Sequence, residues 1–212
     1  MKFVYAVCIL LAGFFLWAGI QSKPILKRMT AKAEPEISYT NQQLDSLKLK
    51  ARQGGFNTDL AVCINLGKFS GSERFYLVDL NTQKTLLSGL CCHGGGYGYD
   101  NEEVVFSNIS GSHCSSDGIY KIGYAYTGTF GKSYKLYGLS ATNSNAFDRF
   151  IVLHSHDCVP ETAVSNSICE SQGCPTLAPS VFSKLSTYLD ASKKPVLMWI
   201  YSMKNSKDKP LN

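Results

Sequence analysis

In "LAVCINL", residues 60 to 66, Leu60, Val62, Ile64 and Leu66 alternate with Ala61, Cys63 and Asn65. A period of two places successive side chains on opposite faces of an extended chain, so the segment predicts a half-buried strand. Runs rich in aromatic and β-branched residues follow and predict further strands. They are "RFYLVDL" (74–80), "TLLSGLCC" (85–92), "GIYKIGYAY" (118–126), "SYKLYGL" (133–139), "RFIVLHSH" (149–156) and "PVLMWIYS" (195–202). "NTQK" joins the first two of these as a hairpin turn. Two segments read as helices. In residues 40–55, Leu44, Leu47 and Leu49 form an imperfect stripe that Gly54-Gly55 ends. In "PSVFSKLSTYLD", Pro179 suits a first helical turn, and Val181, Phe182, Leu185, Tyr188 and Leu189 share a face. The expectation is a mostly β domain over residues 40–205, with one helix covering the sheet behind Cys174.

The chain begins differently. "FVYAVCILLAGFFLWAGI", residues 3–20, carries no charge; at the helical rise it reaches about 27 Å, close to a bilayer core. Residues 1–21 are read as a signal anchor, with a cleaved signal peptide as the competing reading, since "WAGIQSKP" is a poor cleavage site. Either way the remainder is exported, periplasmic or otherwise extracytoplasmic. Residues 22–39, with Lys23, Lys27, Arg28 and Lys32, are read as a linker near anionic headgroups, and residues 206–212 as a tail. The net charge of +5 is spread out. It suits an anionic membrane or wall polymer as well as it suits a plain solvated surface. No basic stripe interleaved with aromatics points to nucleic acid, and nothing indicates an oligomeric state.

Of eight cysteines, Cys8 lies in the apolar run. Seven remain: Cys63, Cys91, Cys92, Cys114, Cys158, Cys169 and Cys174. Export favours disulfides. An odd number leaves at least one thiol free, unless it pairs between chains or binds metal. Each of the four histidines has a cysteine nearby, but the paired C-x-x-C spacing of zinc sites is absent. No metal or other cofactor is expected.

Two motifs lack their partners. "GTFGKS" (128–133) has Tyr126 where a phosphate loop needs glycine. "HGGG" (93–96) resembles a lipase oxyanion loop, yet no G-x-S-x-G supplies a serine. Both are read as turn glycines. "SQGCP" is more suggestive. Gly173 permits positive φ and close backbone approach, so amides near residues 173 and 174 can face an oxyanion. A histidine can activate the Cys174 thiol, and the apolar run "FIVLH" ends on His154. From these residues alone, a packed thiol or half-cystine is the more common reading of a cysteine after glycine.

The motifs "CHGGG", "FSN", "SSDGIYKIG", "NSNAFDRFIVLH" and "S-x-GCP" occur in that order. From about residue 72 to 190 the chain resembles the murein L,D-transpeptidase catalytic-domain family, in its branch with Gly-Cys-Pro at the nucleophile. The resemblance implies an exported wall enzyme with a β-sandwich-like catalytic fold carrying one or two helices. It implies Cys174 as nucleophile and His154 as its activating base, twenty residues earlier. It implies Gly173 in the oxyanion hole and Ser171 as the serine three before the nucleophile. The partners implied are peptidoglycan stem peptides, with attack on the carbonyl before a terminal D-alanine. An amine acceptor yields a 3-3 cross-link; water makes the same machinery an L,D-carboxypeptidase.

Gln172 replaces the histidine of the commoner branch, and Pro175-Thr176 replaces its substrate-carboxylate residue. His93, Arg149 and Tyr97 are the candidates for that anchoring, and His156 is read as a solvated neighbour. Cys158 and Cys169, flanking the loop between base and nucleophile, are one candidate pair among several, and the adjacent Cys91 and Cys92 would take different partners, for example Cys63 and Cys114; the sequence leaves the connectivity open. The competing class is a non-catalytic, disulfide-stapled exported domain that binds peptidoglycan.

Overall fold

The computed structural model describes residues 39–96 and 103–203. The anchor, the tail and Tyr97 lie outside these residues, as does the linker except Tyr39. Among the described residues no helix is long and apolar enough to cross a membrane.

Helix α1 spans Asn41–Gln53, capped by Thr40, whose side chain accepts from Gln43 N while the Gln43 side chain accepts from Thr40 N. Its buried face is Leu44, Leu47 and Ala51. Leu49, expected in that stripe, is 56% exposed, because it falls outside the i, i+3, i+7 row. Helix α2 spans Pro179–Ala191 with proline in its first turn, and buries Val181, Phe182, Leu185 and Leu189.

The described residues contain nine strands, in chain order β1 Leu60–Asn65, β2 Phe75–Asp79, β3 Lys84–Gly89, β4 Cys91–Cys92, β5 Gly118–Gly128, β6 Gly131–Gly138, β7 Val152–Ser155, β8 Thr176–Leu177 and β9 Leu197–Tyr201. They form one sheet in the order β3-β2-β1-β9-β5-β6-β7-β8-β4, with β1–β9 and β7–β8 parallel and the other pairs antiparallel. The run 85–92, read as one strand, divides at Leu90: β3 pairs with β2 at one end of the order, and β4 pairs with β8 at the other. The last strand before the site starts at Val152 rather than at Arg149, since Phe150 turns to φ +58°.

Period two sorts the core. Val62, Ile64, Phe75 and Leu77 join Tyr134, Leu136, Leu153, Leu177, Phe182 and Leu185 in one apolar cluster, so strands from both halves of the sheet and α2 enclose the same interior. Ala61, Cys63, Tyr76 and Val78 point the other way and pack with Leu44 and Leu47 of α1. β1 is therefore buried on both faces, not one, because α1 covers the second. This is the mostly β, sandwich-like arrangement with two helices that the resemblance implies. Its consequence for function is local: β7 and β8 run side by side, with His154 opposite Thr176.

Candidate active site

His154 lies on β7. The chain leaves through residues 156–175 and returns as β8 beside it, placing Cys174 two residues before the register partner of His154. The returning loop is clipped by a Cys158–Cys169 disulfide with a Cα separation of 6.1 Å. Cys174 and His154 line one cleft of about 960 Å³, together with Cys92, Gly95, Gly96, His113, Phe130, Arg149, Phe150, His156, Glu170, Ser171 and Thr176. Smaller depressions of about 410 and 470 Å³ lie elsewhere and contain none of these groups.

The imidazole is held at both nitrogens. Nδ1 is 3.0 Å from the Ser155 carbonyl, which only accepts, so Nδ1 carries the proton and Nε2 the lone pair. Nε2 is 3.0 Å from Thr176 Oγ1. Phe130 stacks on the ring at 4.2 Å between centroids. His154 is 4% exposed, and its pKa is pushed below the ordinary value, first by burial and also by the neighbouring His156 charge, against the Ser155 bond.

The thiol is partly exposed. Its Sγ receives the Val152 N–H at 3.4 Å and is 4.0 Å from the Phe150 carbonyl. Burial raises its pKa, while the Val152 N–H and the Arg149 charge oppose that rise. Cys174 and His154 thus share a cleft and face, but no hydrogen bond joins them; Thr176 occupies Nε2. A raised thiol and a lowered imidazole make the resting pair neutral.

Backbone around Cys174 is tightly set. Gly173 has φ +114°, and a Cβ there would lie 2.8 Å from both the Cys114 carbonyl oxygen and Ile151 Cδ1, so glycine is required. Ser171 Oγ donates to the Cys174 carbonyl at 2.7 Å and accepts from Gly173 N at 3.2 Å. The Gly173 amide is therefore taken, whereas the Cys174 N–H has no acceptor among the described residues.

The anchoring candidates separate. Arg149 lines the cleft, but four of its N–H groups donate to Ser107 O, Ser116 Oγ, Ser112 Oγ and Cys114 O at 2.6–3.2 Å. Only Nε–H is left, buried and without a partner. His93 does not reach the cleft. It is 3% exposed, and its Nδ1 accepts from Arg74 Nη2 at 2.8 Å. Burial, then the Arg74 charge, lowers its pKa to about 3, so it is a neutral structural group rather than a substrate ligand. His156 is exposed, and its Nδ1 accepts the Cys158 N–H at 3.1 Å.

The expected bonds from Cys91 and Cys92 to Cys63 and Cys114 are absent: all four are buried free thiols. Cys63 belongs to the cluster under α1, whereas Cys91 and Cys92 belong to the interior across the sheet. Cys114 Sγ instead contacts the Ser112 carbonyl at 3.4 Å. Burial raises the thiols of Cys63 and Cys91 to about 12 and that of Cys92 to about 11, so they are inert.

Three cleft residues escaped the sequence reading. Thr176 has the parity of His154 in register, Phe130 sits at the tip of the discarded "GTFGKS" turn, and Glu170 immediately precedes the serine of "SQGCP". Only the Phe130 turn carried a signal, an aromatic between two hairpin glycines.

A sequence model of the family described as L,D-transpeptidase catalytic domain matches residues 31–201. No curated protein matches the chain. Among solved structures, the helical cell shape determining protein Pgp2 from Campylobacter jejuni is 13% identical at a TM-score of 0.46, covering 80% of this chain and 59% of that one. L,D-transpeptidase (Yku) from Stackebrandtia nassauensis is 12% identical at 0.40, covering 80% and 70%. The Ldtfm-avibactam carbamoyl enzyme is 12% identical at 0.42, covering 68% and 49%. The match therefore spans about half to three fifths of the length of Ldtfm and Pgp2.

Proposed function

The chain belongs to the L,D-transpeptidase catalytic-domain family, and from that premise we propose that it is a cysteine acyltransferase acting on peptidoglycan stem peptides outside the cytoplasm. The observation that carries the reading is the state of the free cysteines among the described residues: Cys63, Cys91, Cys92 and Cys114 are buried, and Cys174, the one partly exposed thiol, lies on the cleft that His154 also lines.

Cys174 Sγ attacks the carbonyl before the terminal D-alanine. Its proton passes to His154 Nε2, and then to the departing amine of D-alanine. Nε2 must first be released. The Thr176 hydroxyl, 3.0 Å from Nε2, has a second acceptor in the Cys174 carbonyl at 3.3 Å, so turning its O–H frees the ring. The Ser155 carbonyl holds Nδ1–H throughout and steadies the imidazolium. Val152 N–H and the half-buried Arg149 charge stabilise the thiolate. The unbonded Cys174 N–H is the amide available to the tetrahedral oxyanion, and the Ser171 bridge fixes its direction. An acceptor amine then displaces the sulfur, giving a 3-3 cross-link.

The test incubates the protein with muropeptide tetrapeptides and follows products by mass. Loss of D-alanine with a dimeric product, abolished in Cys174→Ala, supports the transferase. Loss of D-alanine with tripeptide alone makes the protein a carboxypeptidase. Product that persists in Cys174→Ala refutes the assignment of the nucleophile.

A further inference from the structure

Three buried side-chain nitrogen or oxygen atoms among the described residues lack a hydrogen-bond partner: Arg149 Nε, Glu170 Oε1 and Ser186 Oγ. Two of the three belong to residues lining the cleft of Cys174. Folded chains leave few such groups, and each asks for a reason. Arg149 has its remaining N–H groups engaged. Glu170 has nothing: no described residue donates to it, and no cation pairs with it.

The room for this carboxylate is built by the "HGGG" segment. A Cβ on Gly95 would fall 1.7 Å from Glu170 Oε2 and 2.3 Å from its Cδ, so only glycine leaves the carboxylate in place. Gly94 is constrained by backbone, with a Cβ 2.2 Å from the His113 carbonyl oxygen and 2.7 Å from Gly173 Cα. Ser171 N donates to His93 O at 2.8 Å and Gly95 N to Ser171 O at 3.3 Å, which fastens the glycine segment alongside Glu170 and Ser171. Glu170 therefore sits one residue before the serine that bridges to the Cys174 carbonyl. Burial raises its carboxyl above the ordinary range, as expected of a carboxylate waiting for a counter-charge.

We propose that Glu170 receives the ammonium group of the acceptor stem peptide, holding that amine beside the thioester on Cys174 so that an amine, rather than water, resolves it. The inference rests on the acyl-transfer reading above and supplies the selectivity which that reading lacks. The bound ammonium gives its first proton to solvent as the chain of the acceptor settles. The neutral amine attacks the thioester carbonyl, a C–N bond forms and the C–S bond breaks. The sulfur leaves as thiolate, and the second proton goes to His154 Nε2, which passes it to that thiolate and restores the thiol.

The test compares the full chain with Glu170→Gln, using a stem tetrapeptide as donor and a tripeptide bearing a diamino acid at position three as acceptor. D-alanine released in the first turnover reports acylation, which precedes the acceptor; the ratio of cross-linked to hydrolysed product reports the acceptor. The expected result is D-alanine release within about twofold of the parent, and an acceptor concentration for half-maximal cross-linking raised about tenfold, the size of one lost ionic contact. Glu170→Asp recovers part of the loss, and hydroxylamine, uncharged near neutrality, resolves the thioester equally in both. Titration of the acceptor into Cys174→Ala, with and without Glu170→Gln, reads the same site without turnover; about tenfold weaker binding is expected. An unchanged product ratio and unchanged binding overturn the proposal, as does a parallel fall in D-alanine release. A parent chain that releases no D-alanine contradicts the acyl-transfer reading instead, while the titration still decides the ammonium site.

Discussion

Thr176 Oγ1 lies 3.0 Å from His154 Nε2, on the nitrogen that a thiol proton would have to reach. On the proposed mechanism that hydroxyl must let go of the ring before the thiol proton can arrive. Thr176→Val removes the hydroxyl at nearly constant volume. It is expected to lower kcat about tenfold or more by disturbing the proton path, and to raise the acid limb of the pH profile, since a bond that favours neutral imidazole is gone. Thr176→Ser retains both. Steady-state rates against pH for the two variants check this; an acid limb unmoved in Thr176→Val contradicts it.

The neutral resting pair sets the breadth of the pH profile. Burial lowers the His154 pKa from 6.5 and raises the Cys174 pKa from 9.0. Activity requires an unprotonated imidazole, so its loss on acidification begins below the ordinary imidazole range. The alkaline limb lies above the ordinary thiol range. Phe130→Ala uncovers the ring that it stacks on at 4.2 Å; weaker desolvation lets the His154 pKa climb, and the acid limb follows it upward. The logarithm of kcat/KM against pH measures both.

Thiol accessibility gives an independent count. In a Cys8→Ser chain with its disulfide intact, a thiol reagent is expected to modify one cysteine in the native state and five after denaturation, matching one partly exposed and four buried thiols. Cys174→Ala removes the native reaction. Two or more fast native thiols contradict the burial of Cys92, the other free cysteine lining the cleft.

The Cys158–Cys169 bond closes a loop across 11 positions. Loop-closure entropy assigns such a cross-link about 2–4 kcal/mol. The double Ser variant is expected to lose stability in that range by denaturant unfolding, with kcat falling more than KM rises, because this loop connects His154 to Cys174, the proposed base and nucleophile. A double variant as stable and active as the parent shows that the clip is dispensable.

Local pattern reached the elements more surely than their neighbours. Alternation in 60–66 announced β1, but its second buried face depends on α1, which packs from outside that window. The division of 85–92 at Leu90 is likewise invisible locally, since β3 and β4 differ only in which distant strand each meets. At the site, ordered motifs indicated Cys174, His154, Gly173 and Ser171. They did not disclose that His93 is taken by Arg74, or that Arg149 is engaged by four oxygens. Thr176 and Glu170 carry no spacing signal; parallel register and a glycine-made recess give them their places.

The most direct measurement is an acid-quenched reaction with stem tetrapeptide, analysed by intact mass and peptide mapping. The mechanism predicts an acyl adduct, the tetrapeptide less D-alanine, on the peptide containing Cys174. That adduct accumulates more slowly by about two to four orders of magnitude in His154→Ala and never forms in Cys174→Ala. An adduct on any other residue, or D-alanine release that outlasts the loss of the Cys174 sulfur, would contradict it.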